Sequence, residues 1–202
     1  MMEYNPDIYH RKSIRLKGYD YSRDGGYFVT ICTHNRELYF EFFPELKEIV
    51  SRQWHQLPER FSNLILDEFI VMPNHIHGII IVGATLAVAP QGGRKTRPYR
   101  VVQNQNENAM PGAGARPAPT IGEIIGTFKS LCINDWLICL KEHKIDAIGK
   151  FWQRNYYEHI IRNERKLNKI REYIQNNPLK WSFDQENPDR IEADVLEDSI
   201  FK

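Results

Sequence analysis

The segment His75-Ile76-His77 constrains this chain most, because it lies inside an apolar, β-branched run from Phe69 to Val82. Such a run predicts two buried strands with a turn at Pro73-Asn74. On a strand, residues i and i+2 project to the same face of the sheet. Two imidazole rings therefore lie side by side, and a buried strand gains nothing from them unless they bind something. The pair can hold a metal ion or a phosphate, and the alternative is a structural or surface pair of histidines.

Length and composition indicate one intracellular domain. The chain has 202 residues, of which 42% are hydrophobic, and this is enough for a single core. No apolar run reaches the roughly 18 residues of a membrane span, and the basic N-terminus has no signal-peptide core. The three cysteines form no CxxC pair, which favours reduced thiols. We therefore expect a soluble, cytoplasmic protein without membrane contact.

Charge is distributed unevenly although the net charge is only +1. Residues 184–202 contain seven acidic and two basic residues, whereas basic residues cluster at 11–17, 94–100 and 162–171. A polyanion is a plausible partner for the basic clusters, but ordinary solvated surface charge would have the same pattern.

Apolar periodicity predicts seven elements in the order β-α-β-β-α-β-α. The strands are expected at Tyr27–Thr33, Leu64–Met72, His75–Val82 and Phe151–Ile161, and the helices at Pro44–Leu57, from Thr120 onward, and at Glu164–Asn177. The first six elements match an α+β, ferredoxin-like split βαβ (RRM-like) antiparallel sheet with helices on one face. The last helix is additional to that fold.

The same patterns predict the organisation of the chain. Residues 1–24 are a basic N-terminal arm, residues 25–183 form the domain, and residues 184–202 are an acidic C-terminal tail. Residues 84–120 are rich in Ala, Pro, Gly, Gln and Asn without periodicity, which indicates a flexible insertion.

Tyr173 and Asn177 are spaced i and i+4 on the last helix, so they share one face. If that face packs near the histidine strand, a hydroxyl nucleophile lies beside a metal held by His75, His77 and Asn177. Two imidazoles and an amide oxygen suit Mg²⁺ or Mn²⁺ with positions left for phosphate oxygens. Tyr156-Tyr157, on a predicted strand near basic residues, competes with Tyr173 for the nucleophile role.

Several segments together carry a resemblance to a known family. The chain resembles the REP-associated tyrosine transposases, which belong to the HUH single-tyrosine transposases of the single-strand insertion-sequence type. The segments occur in family order and cover most of residues 11–180. They are Arg11-Lys12-Ser13-Ile14-Arg15-Leu16-Lys17-Gly18-Tyr19-Asp20-Tyr21, Tyr27-Phe28-Val29-Thr30-Ile31-Cys32-Thr33, Val71-Met72-Pro73-Asn74-His75-Ile76-His77-Gly78, Phe128-Lys129-Ser130, residues 151–162, and Tyr173-Ile174-Gln175-Asn176-Asn177-Pro178.

The resemblance implies an activity and a role for each site residue. His75 and His77 are similar to the HUH metal ligands, Tyr173 to the nucleophile, and Asn177 to the third ligand, where insertion-sequence relatives usually have glutamine. The implied enzyme is a single-stranded DNA endonuclease and strand transferase that uses Mg²⁺ or Mn²⁺. It would cleave near palindromic hairpin repeats through a covalent 5′-phosphotyrosine. Some relatives are dimers and others monomers, so both states are compatible with the resemblance.

Basic residues within the matching segments are candidates for contact with single-stranded or hairpin DNA. They are Arg11, Lys12, Arg15, Lys17, Lys129, Arg154, His159 and Arg162. The alternative for each is an ordinary surface or structural role. Two other functions also remain open: a DNA-hairpin-binding protein of ferredoxin-like fold that does not cleave, and a metal-dependent phosphoesterase that activates water.

Overall fold

The structure, a computed structural model, describes residues 25–83 and 119–191. The predicted arm with Arg11, Lys12, Arg15 and Lys17, nearly all of the predicted insertion, and residues 192–202 lie outside the described residues. Within the described ranges, no helix is both long enough and apolar enough to cross a membrane.

A four-stranded antiparallel sheet forms the centre of the fold. Its strands are β1 (Gly25–Cys32), β2 (Leu64–Val71), β3 (His75–Val82) and β4 (Tyr157–Ile161), in the spatial order β2-β3-β1-β4. This is the strand order of a split βαβ unit, in which each crossover helix skips one strand position. The predicted α+β, ferredoxin-like class is confirmed.

Five α-helices and two 3₁₀ segments complete the described part of the chain. They are α1 (Tyr39–Phe42), α2 (Pro44–His55), α3 (Leu57–Arg60), α4 (Ile121–His143) and α5 (Glu164–Asn176), with 3₁₀ segments at His34–Arg36 and Asn177–Phe183. The capping box expected at the start of α4 is present, since Thr120 and Glu123 bind each other's backbone N–H groups. The short α1 has no counterpart among the predicted elements.

The two faces of the sheet bury different sets of residues. Ile76, Ile80 and Val82 of β3 pack with residues of α2 and α4, whereas Ile79 and Ile81 pack with residues of α5. The prediction of helices on one face holds for the crossover helices α2 and α4, and α5 covers the opposite face. Because side chains alternate along a strand, His75 and His77 lie on the α5 face.

Gly78 explains why α2 can approach the sheet so closely. A Cβ atom at this position would lie 2.3 Å from Cζ2 of Trp54, a fully buried residue of α2. The indole of Trp54 stacks on Phe69 of β2 with ring centroids 4.6 Å apart. Only glycine leaves room for this packing next to the two histidines.

The strand predicted over Phe151–Ile161 is wrong in its first half. Pairing is regular only in Tyr157–Ile161, and an isolated bridge joins Trp152 to Thr33. The ammonium group of Lys129 on α4 donates to the carbonyl oxygens of residues 153, 154 and 155. Those carbonyls therefore bind a side chain instead of a neighbouring strand. Aromatic composition, which suggested a strand here, reflects burial of Phe151 and Trp152 in the core.

Candidate metal centre

His75 and His77 meet on the α5 face with their Nε2 atoms 3.0 Å apart. Both residues are buried, with 0% and 2% of their surface exposed. Two nitrogen ligands in neighbouring positions of an octahedron, each about 2.1 Å from the ion, are about 3.0 Å apart. The separation of the two Nε2 atoms therefore fits neighbouring positions around a six-coordinate divalent cation.

Asn74 determines which nitrogen of His75 faces this point. Its amide nitrogen donates to the carbonyl oxygens of Arg36 and Glu186, at 3.0 and 2.7 Å. The amide oxygen must then face Nδ1 of His75, which lies 2.8 Å away and must donate the hydrogen. Nε2 of His75 is left with its lone pair, which is the form that binds a metal.

Thr30 makes the equivalent contact with the second imidazole. Its hydroxyl lies 2.9 Å from Nδ1 of His77, which directs Nε2 of His77 toward His75. Thr30 and His77 are paired residues on the neighbouring strands β1 and β3, so the sheet register produces this contact. Both rings are thus oriented by side chains of the surrounding fold.

Asp184 contributes a carboxylate that the sequence reasoning assigned to the acidic tail. Its Oδ2 lies 3.7 Å from Nε2 of His75 and 3.9 Å from Nε2 of His77. The residue is 4% exposed, and Oδ2 has no hydrogen-bond partner among the described residues. Three buried groups with ligand atoms within 4.8 Å of one another could hold a divalent metal.

The segment that carries Asp184 is fixed by several contacts. Oδ1 of Asp184 accepts the backbone N–H of Glu186, and the side chain of Glu186 pairs with Arg36 at 2.5 Å. Asn74 binds the backbone carbonyl of Glu186, as described above. The residue that orients His75 therefore also holds the chain that brings Asp184 to the same place.

The protonation states favour cation binding. Burial and the neighbouring His77 hold the pKa of His75 well below its usual value, so the ring is neutral. Burial alone would raise the pKa of Asp184, but the neighbouring imidazoles of His77 and His75 lower it below its ordinary range. A neutral imidazole and an ionised carboxylate are the forms that coordinate metals.

Asn177 begins the 3₁₀ segment directly after α5, one helical turn beyond Tyr173. It is 3% exposed, and its Oδ1 has no hydrogen-bond partner among the described residues. A buried amide oxygen without a donor is unfavourable unless a ligand uses it. This observation is compatible with the ligand role predicted for Asn177, which stays a prediction.

Tyr173 lies next to the histidines, so the face of the last helix packs near the histidine strand, which is the condition on which its predicted role depends. Its hydroxyl is 3.4 Å from Nε2 of His77, and the two ring centroids are 5.3 Å apart. The ring packs edge-on against Phe28 of β1 at a centroid distance of 6.0 Å. Tyr157 lies on β4, and its ring also packs edge-on against Phe28, at a centroid distance of 6.5 Å.

The predicted DNA-contacting residues occupy different environments. Arg154 and Arg162 are exposed, while His159 is half-buried on β4 and its pKa is lowered by burial and by Lys166 and Arg162. Lys129 is engaged by the carbonyls of residues 153–155, and burial lowers its pKa to about 8. Arg162 and Lys166 thus place positive charge beside His159 where β4 meets α5, whereas Lys129 supports a loop.

The sequence reasoning missed Asp184 and the orienting roles of Asn74 and Thr30. Asp184 is the first residue of an acid-rich segment, and charge alone indicates a solvated tail. The aromatic Trp181, three residues earlier, is the available signal that this segment returns to the core. Its ring lies 6.0 Å from that of His75.

Two solved structures are similar to this chain. One is a REP-associated tyrosine transposase bound to a REP hairpin, with a TM-score of 0.48 and 15% identity, covering 83% of this chain and 74% of that chain. The other is a candidate transposase from Deinococcus radiodurans R1, with a TM-score of 0.40 and 18% identity, covering 80% and 95%. The resemblance predicted from the motifs names the same kind of protein.

A sequence relative is much more similar. No family model matches the chain. An uncharacterized protein of Haemophilus influenzae is 39% identical over 190 residues, which cover 91% of this chain and 96% of that protein. Identity at this level over nearly both full lengths establishes common family membership. The chain therefore belongs to one family with this Haemophilus influenzae protein, and its motifs resemble those of the REP-associated tyrosine transposases.

Proposed function

We propose that this chain is a metal-dependent single-stranded DNA endonuclease and strand transferase that cleaves near palindromic hairpin repeats. The observation that carries the proposal is the meeting of a buried tyrosine hydroxyl with a buried imidazole pair, at 3.4 Å from His77. The hydroxyl oxygen and the imidazole nitrogens are polar, so their burial is unfavourable unless they have a partner or a ligand. Their juxtaposition gives a nucleophile beside a site for a charged ligand.

The donor set fits Mg²⁺ or Mn²⁺. His75, His77 and Asp184 would hold the ion, and the unpartnered Oδ1 of Asn177 would supply a further oxygen ligand. Mixed imidazole and oxygen donors suit a hard, six-coordinate cation with positions left for phosphate oxygens. A bound ion would withdraw charge from the non-bridging oxygens of the scissile phosphate and so favour attack on phosphorus.

Tyr173 would perform the covalent step. Its hydroxyl oxygen forms a bond to phosphorus, the bond from phosphorus to the 3′ oxygen of the preceding nucleotide breaks, and that oxygen becomes a free 3′-hydroxyl. The phenol loses its proton in the process, and its ordinary pKa of about 10 explains why an activated site is needed. The resulting 5′-phosphotyrosine retains a phosphodiester that another 3′-hydroxyl can attack, which is the strand-transfer step.

The DNA strand would be held by cationic side chains around the site. Arg154 precedes β4, His159 lies within it and Arg162 follows it, and the predicted arm would add Arg11, Lys12, Arg15 and Lys17. Neutralising several phosphates makes binding salt-dependent, so we expect affinity to fall as the salt concentration rises. The transposase that was solved with a REP hairpin is compatible with DNA of this type as the partner.

The decisive experiment incubates the protein with a hairpin-bearing single-stranded oligonucleotide and Mn²⁺. We expect a covalent protein–DNA adduct that survives denaturation and is lost on removal of the metal. Tyr173→Phe should abolish the adduct and preserve DNA binding. Tyr157→Phe, which changes a tyrosine of β4, is the matched control and should still form the adduct.

Other outcomes would assign one of the alternative functions. Tight hairpin binding without cleavage in Mg²⁺ or Mn²⁺ would identify a DNA-binding protein. Cleavage that persists in Tyr173→Phe without any adduct would identify a phosphoesterase that activates water. Either result would contradict the proposed role of Tyr173.

A further inference from the structure

An irregularity in β2 brings two acidic side chains to the helix that carries Tyr173. Leu66 pairs with Ile80 and Phe69 pairs with Gly78, so two residues of β2, Asp67 and Glu68, lie opposite the single residue Ile79 of β3. This is a β-bulge on an edge strand. Bulges of this kind redirect side chains and are frequent near functional sites.

The bulge changes the face of the sheet toward which the side chains of β2 project. On a regular strand, residues three positions apart face opposite sides of the sheet. Here Leu66 and Phe69 both pack against the core under α2 and α4. The extra residue between them leaves both Asp67 and Glu68 able to reach α5, at the edge of the sheet.

Both acids bind residues of α5, one before and one after Tyr173 in the sequence. Asp67 accepts two hydrogen bonds from the guanidinium of Arg171, from Nε at 2.8 Å and from Nη2 at 2.5 Å. Glu68 accepts one from Nε2 of Gln175 at 2.9 Å. Arg171 and Gln175 are spaced i and i+4, and Tyr173 lies midway between them.

The other contacts of α5 do not fix its position in the same way. Leu167, Ile170 and Ile174 pack on apolar residues of the sheet, and apolar contacts are not directional. A two-pronged arginine–carboxylate pair is directional, because its planar groups must align. The pair is also partly sheltered, with side-chain exposures of 27% for Arg171 and 15% for Asp67.

We infer that the Asp67-Glu68 bulge is a positioning device, which sets the rotation and translation of α5 and thereby the place of the Tyr173 hydroxyl beside His77. Asp67 and Arg171 are positioning residues, since neither touches the candidate metal ligands. The inference rests on the proposed function in so far as it concerns catalysis. Misplacing a reacting group by about 1 Å can cost on the order of 100-fold in rate.

The test compares Asp67→Asn with a matched control variant on the opposite face of the sheet. Asp135 of α4 forms a similar pair with Arg52 of α2, at 2.9 Å. Both helices pack on the face of the sheet opposite α5. We expect Asp67→Asn to slow adduct formation by about tenfold or more without changing the affinity for the oligonucleotide or for Mn²⁺. Asp135→Asn should form the adduct at the wild-type rate.

A second variant separates geometry from charge. Arg171→Lys keeps the positive charge but loses the planar guanidinium that donates two hydrogen bonds to Asp67. We therefore expect it to slow adduct formation as well. Wild-type rates in both Asp67→Asn and Arg171→Lys would overturn the inference. Equal slowing in Asp67→Asn and Asp135→Asn would also overturn it, because general loss of stability would then be the cause.

Amide hydrogen exchange tests whether the bulge holds α5 in place, and it requires no DNA cleavage. In Asp67→Asn, exchange should become faster in residues 164–176 and stay unchanged in β1 and β3. If the wild-type protein forms no adduct, the proposed function fails and this measurement still decides the inference. Unchanged exchange in α5 would show that the bulge does not hold the helix.

Discussion

The two faces of the sheet are built on different physical principles. Under α2 and α4, bulky apolar groups fill the space to the point that a single methyl group at Gly78 would collide with Trp54. On the opposite face, the same strand presents two imidazoles, and an unpartnered oxygen of Asp184 is buried within 3.9 Å of both rings. Close packing stabilises the first face, whereas the second keeps polar groups whose burial a ligand must offset. The contrast indicates that one face of β3 serves packing alone, whereas the other combines packing through Ile79 and Ile81 with the site at His75 and His77.

The largest expected effect comes from disturbing the packed face. In Gly78→Ala, the new Cβ would lie 2.3 and 2.5 Å from two carbons of the Trp54 ring, so the indole or the helix must move. We expect a loss of about 3 kcal/mol in the free energy of unfolding, at the upper end for overpacked cores. Urea denaturation followed by tryptophan fluorescence measures it.

Gly126→Ala provides the control for that measurement. Gly126 lies within α4, and a Cβ atom there would meet nothing within 4 Å. Alanine should therefore stabilise the protein by up to about 1 kcal/mol through its higher helix propensity. If Gly78→Ala were as stable as the wild type, the close packing of α2 on β3 would not describe the protein in solution.

The next largest effect concerns the face under α5. A ligand present at 100 times its dissociation constant stabilises a protein by about 2.7 kcal/mol, and we expect Mn²⁺ to do so here. His77→Ala should abolish this stabilisation, because it removes one of the two converging nitrogens. Thermal denaturation with and without Mn²⁺ measures the difference. His55→Ala alters an exposed histidine on α2 and should leave the Mn²⁺ effect intact.

A smaller effect is expected from the groups that orient the imidazoles. Asn74→Ala removes the acceptor for Nδ1 of His75 and the anchor for the segment that carries Asp184. Loss of such a supporting hydrogen bond commonly lowers metal affinity by about 10- to 100-fold. Thr30→Val makes the matching change at His77. Calorimetric titration with Mn²⁺ gives the affinity, and wild-type values in both variants would contradict the orienting roles.

Periodicity and local chemistry predicted most of the fold. The alternation along β3 identified the histidine pair, the i, i+4 spacing identified Tyr173 with Asn177, and the Thr120 capping box marked the start of α4. These features depend on neighbours within about one helical turn or along one strand, so they are visible in the sequence. The strand predicted over residues 151–161 was wrong only in its first half, where Lys129, more than twenty residues away, binds the carbonyls.

The amino-acid sequence by itself determined that two imidazoles share one face of a buried strand and that a tyrosine and an asparagine share one face of the last helix. Only the tertiary structure decided that these faces meet, that Asp184 joins them, and that Asp67 holds α5 against the sheet edge. The physical reason is the range of the interactions. Side-chain direction along an element follows from backbone geometry, whereas contacts across 104 or more positions, such as Arg171 with Asp67, exist only when the whole sheet is assembled.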